Sequence, residues 1–133
     1  MPNILDLKSE FFNNLVNIGH EYRYGDALHK PENYHWLEGL FIKIMSNKTI
    51  YKLMKELESW DYNTYQHSLD TFILGSLYAR ALKIDDIEKF AIGCLLHDIG
   101  KLKIPNDILN KPCELSLNER ELVKNIRVMA IIF

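Results

Sequence analysis

The chain has 133 residues, nearly half of them apolar (47%), and its Lys plus Arg (16) and Asp plus Glu (18) leave a net charge of −2. That length and composition point to one compact domain with a substantial core and argue against disorder. Without a basic stripe a nucleic-acid duplex is an unsuitable partner, whereas a small phosphate ester is not. No apolar run reaches the length of a membrane span, and the N-terminus shows no basic-then-apolar leader.

Apolar residues at Ile4, Leu7, Phe11, Phe12, Leu15, Val16 and Ile18 mark a first helix from Ile4 to Ile18 by their spacing. From Gly19 to His35 the pattern breaks at Gly25 and Pro31, which predicts a connector. His29 and His35 fall there and read as surface groups, since a metal site needs convergent partners. Trp36 to Met45 forms a short apolar helix, and Ser46-Asn47-Lys48 interrupts it. A further amphipathic helix covers Thr49 to Trp60, with Ile50, Leu53, Met54 and Leu57 on one face. These first sixty residues read as a helical cover over the rest of the chain.

Asp61 or Asn63 can cap a helix over about Tyr65 to Leu82, whose core face is Leu69, Phe72, Ile73, Ser76 and Leu77. His67 near its start reads by itself as a capping or surface histidine. Asp70, one turn on, reads as a solvated carboxylate or as a group orienting the His67 ring. After a short Lys83-Ile84-Asp85 turn, Asp85-Asp86-Ile87-Glu88 resembles a capping box for the next helix, which should lie antiparallel to its predecessor. That helix ends in Cys94-Leu95-Leu96-His97-Asp98-Ile99-Gly100-Lys101, with Gly100 placed as a left-handed terminator and Pro105 blocking resumption. Ser116 and Glu119 then form a capping box for a sixth helix. Cys94 and Cys113 read as reduced cytosolic thiols in no zinc-binding spacing, so the chain is expected in the cytoplasm.

Adjacent His97 and Asp98 offer an imidazole nitrogen and a carboxylate oxygen side by side, a pair suited to Zn, Mn or Fe, and Lys101 adds a cation that phosphoryl chemistry can use. The bland alternative is a histidine closing a helix beside a solvated aspartate. Antiparallel neighbours would bring His67 at the start of one helix to His97 at the end of the other, and His67 then becomes a candidate third ligand.

The longer string His97-Asp98-Ile99-Gly100-Lys101, with Ile104-Pro105, Ile108-Leu109, Lys111-Pro112 and the Ser116–Glu119 box, resembles the HD superfamily of metal-dependent phosphohydrolases, and within it the HD-GYP branch. His67 matches that branch's preceding histidine. The resemblance implies an all-α bundle of about six helices and a centre of two or three divalent metal ions. It also implies hydrolysis of a cyclic dinucleotide, typically cyclic di-GMP. By motif match, His67, His97 and Asp98 would bind metal, with Asp98 bridging two ions, and Asp98 and Lys101 would be catalytic, Lys101 meeting the substrate phosphate. Residues 61–133 would then be the N-terminal half of such a domain, joined to the 1–60 cover as one unit.

The chain departs from the branch at Ile126-Arg127-Val128-Met129-Ala130, where the family places His-Pro-x-x-Gly, and Phe133 comes before the family's later ligands. The expectation is a partial site holding at most one ion, in a truncated and inactive phosphodiesterase or in a non-catalytic helical binding module. The tail carries a further reading. With AAC, ATC and CGN as the codons for Asn125, Ile126 and Arg127, the neighbouring frame spells His-Pro-x-x-Gly at the aligned positions, as a single-base loss near codon 125 would produce. The apolar tail would then be prone to self-association; the alternative is a native apolar helix end. Sequencing the gene checks this: those three codons and a Gly-Tyr-Pro half encoded downstream are expected, and other codons defeat the idea.

Overall fold

The computed structural model describes residues 3–18 and 30–103. Among them are five α-helices and no strand: α1 (Ile4–Ile18), α2 (Pro31–Met45), α3 (Lys48–Trp60), α4 (Tyr62–Ala81) and α5 (Ile87–Leu96), followed by a 3-10 helix at Ile99–Lys103. The all-α bundle expected from the sequence is what the chain forms. The sixth helix at Ser116, Pro105, Cys113, His29 and the tail from Asn125 with its expected self-association lie outside the described residues.

One core cluster runs through all five helices. An aromatic file carries it across the bundle, with ring centroids 5.1 Å apart for Phe11–Phe41 and 6.1 Å for Phe41–Phe72. α3 buries Ile50, Met54 and Leu57, and α4 buries Tyr65, Leu69, Phe72 and Ile73. α1 behaves differently from its periodicity. Leu7 and Phe11 are buried, but Ile4, Phe12 and Val16 stay exposed, so its buried stripe is narrower than its apolar content. Polar Asn14 completes that stripe.

The connector ends earlier than expected. Pro31 stands at the start of α2, where its missing N–H costs nothing, and the helix continues through Tyr34 and His35 to Met45. His35 is exposed, as a surface histidine should be. Asn47 caps α3 by accepting from the N–H groups of Thr49 and Ile50. α4 begins at Tyr62 rather than Tyr65, with Asp61 at its N-cap, yet the Asp61 side chain bonds no backbone N–H.

The reversal between α4 and α5 is tight and closed by hydrogen bonds. The Ile84 N–H donates to the Ala79 carbonyl (3.0 Å) and the Lys83 N–H to the Arg80 carbonyl (3.2 Å), the paired bonds of a Schellman motif. This motif puts Lys83 in the left-handed region (φ 54°), a place usually given to glycine. Asp86 is left-handed as well (φ 52°), and its carboxylate caps α5 by accepting from the Lys89 N–H. The expected capping box does not form there. Glu88 turns outward to Lys43 (2.8 Å), because the N3 position belongs to Lys89.

Beyond the turn the two helices run antiparallel in close contact. Gly75 meets α5 so nearly that a Cβ there would lie 2.6 Å from the Cys94 Sγ. α5 ends at Leu96, with His97 right-handed at its C-cap. Gly100 is not the left-handed terminator expected, since the chain winds on through it as the 3-10 helix. Within α4 the Ser68 and Ser76 hydroxyls are buried with no hydrogen-bond partner among the described residues.

Lys83→Gly should stabilise the chain by about 1 kcal/mol, the cost of a left-handed L-residue, read as a higher midpoint in urea unfolding.

Candidate metal centre

The antiparallel pairing of α4 and α5 brings His67, in the second turn of α4, to His97 at the end of α5. Their rings lie 5.2 Å apart, centroid to centroid, inclined at 65°. Asp98 follows His97 in the turn between α5 and the 3-10 helix, and one of its oxygens, Oδ2, sits between the rings. It lies 3.0 Å from His97 Nε2 and 3.8 Å from His67 Nε2. One ligand atom from each of the three residues falls within 4.8 Å of the others, the one such grouping of His, Cys, Asp or Glu among the described residues.

The donor set fits a divalent ion. Metal–ligand bonds of about 2.1 Å in a tetrahedron place neighbouring donors about 3.4 Å apart, and the two Nε2–Oδ2 separations bracket that length. Tautomer supports the same reading. His97 Nδ1 lies 2.8 Å from the Cys94 carbonyl, an acceptor only, so Nδ1 donates and a neutral ring keeps its lone pair on Nε2, facing Asp98. Two histidines and one carboxylate supply harder, mixed N/O ligation of the kind Zn, Mn or Fe accepts. Cys94 is not among the grouped ligand atoms, and partial burial pushes its thiol pKa above the usual value.

Lys101 also reaches this point. The 3-10 helix sets its backbone N–H 3.0 Å from the Asp98 carbonyl, and its Nζ lies 3.5 Å from Asp98 Oδ2. One carboxylate oxygen therefore has two imidazoles and an ammonium around it. His67 is the most open member, its side chain 60% exposed, whereas Asp98 is 17% exposed. The cluster faces solvent on the His67 side and is backed by the core through Leu95 and Ile99. An open groove of about 840 Å³ lies nearby between α3 and the 3-10 helix, lined by Tyr51, Lys52, Lys55 and Trp60 among others. It meets the cluster only through Leu102, beside Lys101, and contains none of the three ligands.

All four residues singled out in the sequence thus converge. Asp70 differs from the solvated reading: it is buried, at 9% exposure, because α4 turns that position inward. A second polar cluster lies on the other side of α4, where Tyr65 meets Glu10 and Asn14 of α1. Its members are more than fifty positions apart. Only the polar interruptions at Glu10 and Asn14 in the stripe Leu7, Phe11, Leu15 hint that something polar waits opposite them.

Comparison with known proteins agrees with this geometry. The HD domain family model matches residues 64–132, more than half of the chain. A cyclic di-GMP phosphodiesterase of Pseudomonas aeruginosa is 29% identical over 112 residues, which span 83% of this chain and 27% of that protein. No solved structure matches significantly. The matched region begins with the helix that carries His67 and contains His97, Asp98 and Lys101, and on that ground the chain belongs to the HD domain family, a superfamily of metal-dependent phosphohydrolases.

Proposed function

We propose that this chain carries the metal- and phosphate-binding part of a cyclic-dinucleotide phosphodiesterase centre, with cyclic di-GMP as the substrate class that its Pseudomonas relative suggests. The observation that carries the reading is the convergence of His67, His97 and Asp98 on one point, with Lys101 beside it. In this reading the three residues hold one divalent ion. Bound there, the ion would lower the pKa of a water and polarise a phosphoryl oxygen. Asp98 and Lys101 are the catalytic residues: Asp98 keeps its carboxylate directed at the ligand point, and Lys101 offsets the negative charge of the phosphodiester. The His97–Cys94 hydrogen bond holds the ring in the tautomer that leaves Nε2 free.

Residues 1–60 act as a helical cover on 61–133, which holds every ligand. The reading places the chain in the cytoplasm, where a free thiol such as Cys94 stays reduced. Among the described residues no helix is long and apolar enough to cross a membrane. A second reading, a non-catalytic binding module, draws support from the ligand count: three donors leave an ion with an open side, and Ile126 stands where the family has a histidine.

Titration with Mn, Fe or Zn separates these readings from a chain with no metal site. Reversible, chelator-sensitive binding is expected, and His97→Ala should abolish it while the far-UV circular dichroism and the unfolding midpoint hold, since a rim histidine adds little to the core. Unchanged binding in that variant would place the metal elsewhere.

Hydrolysis of cyclic di-GMP and of a bis-aryl phosphate by the metal-loaded chain should stay at background. Turnover that disappears in Asp98→Ala would show instead that the centre is completed, by these ligands or by a second copy.

A further inference from the structure

Tyr65 precedes His67 by two positions on α4 and is fully buried. Its hydroxyl donates to Glu10 Oε1 (3.0 Å) and accepts from Asn14 Nδ2 (3.1 Å), both on α1. The same Glu10 oxygen accepts from Lys55 Nζ of α3 at 2.7 Å, and Asn14 Nδ2 lies 2.9 Å from the Glu10 carbonyl. A single carboxylate therefore joins α1, α3 and α4 beneath the first turns of α4.

The first turns of α4 pack on the core through Tyr65 and Leu69, but their cap is weak. The N-cap Asp61 bonds no backbone N–H, because its carboxylate accepts from the Thr64 hydroxyl instead. His67 is exposed, and its ring meets the His97 ring across the cluster and not the core. The placement of its Nε2 follows the backbone of α4 at Tyr65. It is also the looser arm of the cluster, 3.8 Å from Asp98 Oδ2 against 3.0 Å for His97. Metal coordination tolerates only about 0.2 Å of misplacement, so an anchor two residues from a ligand has leverage on affinity.

We propose that Glu10 and Tyr65 are positioning residues for the metal centre: the hydrogen bond from the Tyr65 hydroxyl to the Glu10 carboxylate seats the start of α4 and so sets His67 against Asp98. α1 then does more than cover the bundle. Through this bond the N-terminal helix governs how well a remote ligand is presented, and any event that shifts α1 is felt as a change in metal affinity. The proposal rests on the metal-centre reading above.

The test uses the full chain and manganese alone as probe, titrated well below the unfolding temperature, with the ring nitrogen shifts of both histidines compared by NMR in the metal-free variants and wild type. Tyr65→Phe and Glu10→Ala should each weaken binding by about tenfold, in the range found when a residue supporting a metal ligand is lost. The double variant should be no weaker than the worse single one, since both remove the same bond. The His67 ring shifts should move while those of His97 hold. A control with an equal loss of thermal stability, Ile44→Val in α2, should keep wild-type affinity. Binding within twofold of wild type in Tyr65→Phe and Glu10→Ala overturns the positioning role and leaves the metal centre standing. If Tyr65→Phe does not fold, Glu10→Ala alone decides. Wild-type chain that binds no manganese overturns the metal-centre reading, and this inference with it.

Discussion

The structure depends on the reversal at Leu82–Asp86. Two hydrogen bonds close it, two non-glycine residues accept left-handed backbone to make it, and it turns α5 back along α4 at the closeness that Gly75 permits. Everything at the site follows from that pairing. His67 and His97 are thirty positions apart in the chain, and only an antiparallel return of this tightness sets their rings side by side. The same return places Asp98 at the helix end, where the backbone changes from α to 3-10 winding and the carboxylate is free to face both rings. A looser turn would leave three ordinary polar residues at a helix rim.

Sequence patterns reach some of these features and not others. The adjacent His97 and Asp98, the flanking Gly100 and Lys101, and the apolar spacing of α3, α4 and α5 are local signals, set by periods of three and four residues or by a contiguous motif. They were readable for that reason. Pro31 misled because proline both breaks a helix and begins one, and only the packing of Leu37 and Phe41 on the core decides between these roles. Glu88 misled in a similar way: its position relative to Asp86 is one short of a capping box, and Lys43 across the bundle claims it. Asp70 seemed solvated because nothing local says which side of α4 faces inward at that turn. The Glu10–Tyr65 bond was out of reach altogether, since two helices must pack before either residue has a partner.

The two polar clusters that flank the start of α4 illustrate opposite uses of charge. On the solvent side, Asp98, Lys101 and two imidazoles share a partly open rim, where groups can exchange an ion or a ligand with water. On the core side, Glu10, Asn14 and Tyr65 satisfy one another beneath the surface, and Lys55 reaches in to them from the groove beside α3. There an unpaired carboxylate would be costly to bury, by several kcal/mol for an isolated ion. Burial lowers the Lys55 pKa, but the hydrogen bond and charge of Glu10 outweigh that and raise it overall. The inner cluster is thus fixed by its own complementarity, while the outer one keeps spare valence.

The shortness of the α4–α5 connection has a consequence for how the chain comes to its structure. All three ligands lie within one helical hairpin, so the loop whose ends must meet is small, and each doubling of such a loop costs only about 0.6 kcal/mol of closure entropy. Contacts of this kind belong to the low contact-order class that forms early in folding. The three candidate ligands can therefore come together as soon as two consecutive helices have paired. The tie to α1, spanning more than fifty residues, is a late contact by the same measure. Its arrival ties a hairpin whose candidate ligands have already met to the rest of the bundle.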